Sequence, residues 1–122
     1  MKILENMIFT RSVETHTDGE KLTIDAVLSA DHDNAIYQGH FPSRPITPGV
    51  VMIGVVVELI ERIADRTASL YDVKNAKYLN IMTPDDVDGV SLHIELSDNG
   101  IVNAQYTKGD TTYSKLKLLL KQ

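Results

Sequence analysis

The stretch that most restricts this fold lies mid-chain. Residues 50–57 read Val50-Val51-Met52-Ile53-Gly54-Val55-Val56-Val57 and are apolar on every side. β-Branched residues favour strands, yet three features select a helix from Pro48 to Arg66. Thr47 can act as N-cap and Pro48 as the first helical residue, where its missing N–H costs nothing. Leu59-Ile60 and Ile63-Ala64 recur at helical spacing, with Glu58, Glu61, Arg62, Asp65 and Arg66 between them. The run of about nineteen residues also exceeds a normal strand and holds no turn signal. Such a helix spans ~28 Å, and its apolar first half needs cover on several sides.

Both flanks alternate with period two. Strands are expected around Ile8–His16, Leu22–Leu28, Tyr71–Ile81, Leu92–Leu96, Val102–Tyr106 and Leu116–Leu120, with turns at Asp18-Gly19, Asn99-Gly100 and Lys108-Gly109-Asp110. Asn99-Gly100 reads as a two-residue hairpin turn, and Pro84-Asp85-Asp86 as a strand-ending turn. About six antiparallel strands and one long buried helix imply an α+β chain, its curved sheet wrapped around the helix. With 122 residues, 43% hydrophobic and 24% charged, the whole of 1–122 fits one domain. Absent cysteine removes disulfides, thiolate metal sites and cysteine nucleophiles. A net charge of −5 argues against a general nucleic-acid binder. Glu5 and Asn6 interrupt what would be a signal peptide's apolar core, and residues 49–57 reach only half a membrane span. A soluble, cytoplasmic protein is expected.

The chemistry concentrates in Tyr37-Gln38-Gly39-His40-Phe41-Pro42-Ser43-Arg44-Pro45-Ile46-Thr47-Pro48-Gly49-Val50. Three prolines stiffen this loop and hold His40 in one place relative to the start of the helix. A helix N-terminus offers free N–H groups and positive potential. A neutral imidazole beside it suits proton abstraction next to a carbonyl: the ring takes the proton and the N–H groups hold the developing enolate oxygen.

Gly39-His40-Phe41-Pro42, Arg44-Pro45 and Pro48-Gly49-Val50 resemble the active-site motif of the hotdog-fold 3-hydroxyacyl-acyl-carrier-protein dehydratases. Weaker similarity recurs at Ala76-Lys77-Tyr78 and Pro84-Asp85-Asp86. The resemblance implies a hotdog fold and at least a homodimer with sites at the subunit interface. It also implies an acyl substrate carried on the phosphopantetheine of a carrier protein, with no metal or other cofactor. His40 falls on the catalytic base and Gly49 on the glycine whose N–H binds the thioester carbonyl. Phe41, Pro48, Val50 and Gly54 fall along the acyl site. Arg44, Lys74 and Lys77, with Arg62 and Arg66, are cations that an acidic carrier protein could meet. Neither nucleic acid nor membrane is an expected partner.

One departure matters. The family's helix carboxylate, fourteen residues after the histidine and working in the partner's site, is Gly54 here. Glycine delivers no proton to a leaving hydroxyl. Glu58, one turn on, leans back toward the helix N-terminus and is a candidate for a relocated acid, although an ion pair with Arg62 also fits its spacing. Gly54 itself could simply let the helix pack closely. Four other readings stand beside a relocated acid: a different hotdog subunit supplying the carboxylate, a one-base route through His40, acyl binding without turnover, and thioester hydrolysis. His16 and His93 read as solvated strand residues. His32 between Asp31 and Asp33 is not read as a metal site, because three adjacent residues cannot all converge.

Overall fold

The computed structural model describes residues 3–4, 6–39, 45–64 and 67–121. Six antiparallel strands form one sheet: β1 (Ile8–Asp18), β2 (Lys21–Ala30), β3 (Leu70–Tyr78), β4 (Ser91–Leu96), β5 (Ile101–Lys108) and β6 (Thr111–Leu120). Their order is β1-β2-β4-β5-β6-β3, so β1 and β3 are the edges. Alternation sets the faces. Ile24, Leu28, Leu92, Ile94, Val102, Tyr106, Leu116 and Leu118 point inward, buried to 5% exposure or less. Asp25, His93, Gln105, Lys115 and Lys77 stand in cross-strand register along the opposite face.

Helix α2 (Gly49–Ala64) contributes Val51, Met52, Val55, Val56, Leu59 and Ile60 to the same hydrophobic cluster as the inward strand residues. The expected helix is therefore present, a residue later at its start. Thr47 does not cap it. The first intrahelical acceptor is the Pro48 carbonyl, which takes N–H bonds from Val51 (3.1 Å) and Met52 (3.2 Å). Tyr106, wholly buried, anchors the helix by donating its hydroxyl to Met52 O at 2.7 Å. The helix is also not covered all round, since Val50 is 73% exposed.

Three local expectations differ from the structure. The Asn99-Gly100 turn is a three-residue loop: Ser97 N–H bonds Ile101 O at 3.0 Å, and Gly100 takes a left-handed φ of 84°. Strand β3 stops at Tyr78 rather than Ile81, because Leu79 and Asn80 both turn their N–H groups onto Tyr113 O. Pro84-Asp85-Asp86 belongs to a one-turn helix, α3 (Pro84–Val87), started by a Thr83–Asp86 capping box. A second short helix, α1 (Ala35–Gly39), leads into the proline-rich loop.

Candidate active site at the start of α2

His40, Phe41, Pro42, Ser43 and Arg44 lie outside the described residues, as do Asp65 and Arg66. The chain on either side of the histidine loop is held firmly. Tyr37 of α1 and Thr47, both buried, share a hydroxyl–hydroxyl bond of 2.8 Å. Thr47 N–H donates to Met82 O at 2.7 Å. Thr47 thus serves the loop rather than the helix cap. The loop's two ends meet at one buried polar contact, and Pro48 and Gly49 follow directly from it.

Gly49 is the first residue of α2, so its N–H precedes the first intrahelical bond. A Cβ at this position would lie 2.5 Å from Tyr78 Cζ and 2.6 Å from Tyr78 Oη. Only glycine lets that ring lie against the backbone. Tyr78 and Gly49 border an open pocket of about 290 Å³ that Ile46, Pro48, Met52 and Ile81 help to line. Partial burial raises the Tyr78 phenol above its ordinary range. The sequence reading placed Tyr78 in a strand but gave it no role. Its only signal there was its place directly after Lys77 in the weak secondary similarity.

Gly54 and Glu58 both meet the N-terminal segment. A Cβ on Gly54 would fall 2.5 Å from Ile3 Cδ1. The Glu58 carboxylate accepts the Ile3 N–H at Oε1 (2.6 Å) and the Leu4 N–H at Oε2 (2.8 Å). The backward lean that suggested a relocated acid instead carries Glu58 to these amides. Lys74 and Lys77 sit on β3, Lys74 paired with Asp72 at 3.2 Å and Lys77 opposite Lys115. Arg62 lies in the last turn of α2, about 20 Å along the helix from Gly49. Arg62 therefore stands well away from the pocket beside Gly49.

Outside this region, His32 Nε2 lies 2.6 Å from Asp88 Oδ2, and Nδ1 lies 3.6 Å from Asp85 Oδ1. The bond to Asp88 raises the imidazole above its ordinary range. The Ala30 N–H, then His32, hold the Asp88 carboxyl below its own. These three side chains bring their ligand atoms within 4.8 Å of one another. The Lys108 ammonium already donates to the Asp85, Asp86 and Asp88 carbonyls around them. His93, on the outer sheet face, pairs with Asp25 at 2.6 Å, which raises it in the same way.

A six-stranded antiparallel sheet curved around one helix, with a pocket at the helix N-terminus, defines a hotdog-fold protein. The model of the ApeI-like family, described as ApeI dehydratase, matches residues 14–117, and the chain belongs to that family. The 3-hydroxyacyl-[acyl-carrier-protein] dehydratase FabZ of Lactiplantibacillus plantarum is 29% identical over 90% of this chain and 82% of its own length. Two solved structures share the fold at 20% identity. An uncharacterized protein from Erwinia carotovora subsp. atroseptica superimposes with a TM-score of 0.79, covering 94% of this chain and 96% of its own. The dehydratase heterocomplex ApeI:P from Xenorhabdus doucetiae gives 0.70 over 93% and 97%. Among the described residues no helix is long and apolar enough to cross a membrane.

Proposed function

We propose that this chain is the histidine-bearing subunit of a 3-hydroxyacyl thioester dehydratase whose acid comes from a second hotdog chain. The observation that carries the reading is Gly49 as first residue of α2, at a pocket directly downstream of the histidine loop. His40 removes the proton α to the thioester carbonyl, and the Gly49 N–H stabilises the oxygen on which negative charge gathers. The β-hydroxyl leaves as water once an acid protonates it, giving the 2-enoyl thioester. Neither candidate position on α2 offers that acid: position 54 is glycine, and both oxygens of Glu58 accept backbone N–H groups. A relative in the same fold that works as a heterocomplex supports a partner-supplied carboxylate. The substrate rides on a carrier protein's phosphopantetheine, and Lys77 beside Lys115 offers that acidic partner a basic contact.

Subunit pairing would use the β3 edge. Eight of its nine residues are exposed, including Tyr71 at 68%. Uncovered edge strands with apolar side chains are templates for pairing with another chain.

The test incubates 3-hydroxyacyl carrier protein with this chain alone, and with it mixed with a hotdog subunit that carries the helix carboxylate. Enoyl product is expected from the mixture, at least 100-fold less from this chain alone, and none above background when His40→Ala replaces it in the mixture. Free thiol release in place of enoyl product would overturn the assignment in favour of hydrolysis.

A further inference from the structure

Helix positions 54 and 58 are one turn apart on α2, and both meet the segment near the start of the chain, Gly54 at Ile3 and Glu58 at Ile3 and Leu4. Glu58 binds the Ile3 and Leu4 amides through separate oxygens. Gly54 leaves the space that the Ile3 side chain enters. Ile3 and Leu4 are only 4% and 3% exposed. The segment is secured further along as well. Ile3 O accepts the N–H groups of Asn6, Met7 and Ile8, Met7 O accepts the Asp31 N–H, and the Asn34 side-chain amide donates to Asn6 O. This is a built contact, tied to the helix at one end and to the chain before α1 at the other.

We propose that Ile3, latched by Glu58, occupies the place on α2 that an acid side chain at position 54 would need. The contact thereby dedicates this chain to the histidine half of a composite site. The inference rests on the dehydratase reading for what position 54 would otherwise do; the competition between Ile3 and a side chain at 54 rests on geometry alone. An added Cβ 2.5 Å from Ile3 Cδ1 forces that methyl to move, and a glutamate adds four more heavy atoms beyond it.

The test compares wild type, Gly54→Glu, Ile3→Ala and Ile3→Ala/Gly54→Glu by thermal melting, and assays each alone with 3-hydroxyacyl carrier protein. Gly54→Glu is expected to lower Tm by about 5 °C. In the double variant the total loss should fall short of the two single losses combined by about 3 °C or more. Losses that simply add would overturn the competition. On turnover, Gly54→Glu should remain at background while the double variant rises at least tenfold. Equal activity of Gly54→Glu and the double variant, both above background, would also overturn the proposal, because Ile3 would then yield freely. If the melts couple but the double variant stays inactive, the steric competition stands and the dehydratase role of position 54 falls. As a second probe, Glu58→Gln removes one carboxylate acceptor. It should speed amide exchange at Ile3 and Leu4 about tenfold, and unchanged exchange would refute the latch.

Discussion

His32 stands between two aspartates in the chain, yet its imidazole bonds Asp88, fifty-six residues away. Facing it are Asp85, Asp88 and Asp33, with Arg11 near Asp88 at 4.0 Å and the Lys108 ammonium on the surrounding carbonyls. Because folding raises the histidine, its contribution is full below about pH 6.5 and is lost as pH rises through the raised value. Asp88 is held low, so its share is present above about pH 4 and is lost as pH falls. The pair therefore stabilises most between those limits. The groups are partly exposed, which keeps the effect within about 1 kcal/mol. His32→Gln is expected to lower Tm by about 2–3 °C at pH 5.5 and by less than about 1 °C at pH 9, read from melts of both proteins. An equal loss at both pH values would mean that the ring acts through packing. Sequence reading alone weighed His32 only against its neighbours and so could not see this pair.

The helix and the strands were largely legible in the residue order, because period two and the 3.6-residue period each assign a side chain to a face without reference to the rest of the molecule. Errors fell where a side chain does something non-local. Thr47 has the chemistry of an N-cap, but its hydroxyl bonds Tyr37 across the histidine loop. That bond has a measurable consequence. Tyr37→Phe leaves a buried hydroxyl without its partner and should cost about 1–2 kcal/mol in urea unfolding. Thr47→Val should cost less in the Tyr37→Phe background than in wild type. If the two losses are independent, the hydroxyl bond contributes nothing of its own to closing the loop. The capping box at Thr83 and Asp86 was present in the sequence, yet Pro84-Asp85-Asp86 reads as a turn because one helical turn is too short to show periodicity.

At the scale of the whole molecule, the sheet presents β3 as an edge with apolar side chains uncovered, and the apolar start of α2 leaves Val50 73% exposed. Tyr78 at the end of β3 and Gly49 next to Val50 both line the pocket. Tyr71→Glu on β3 is expected to convert a sedimenting dimer or larger assembly into monomer while leaving the far-ultraviolet circular dichroism unchanged. An unaltered sedimentation coefficient would place the subunit contact elsewhere. The sequence by itself determined the helix, the inward faces of the strands and the histidine motif, since each is written in neighbouring residues or in a repeating interval. Only the tertiary structure decided that Glu58 binds Ile3 and Leu4, that Tyr78 lies against Gly49 and that His32 meets Asp88. Those partners are far apart in the chain. They meet only after strand register and helix packing bring them together, and no local periodicity records which distant residue will fill a given space.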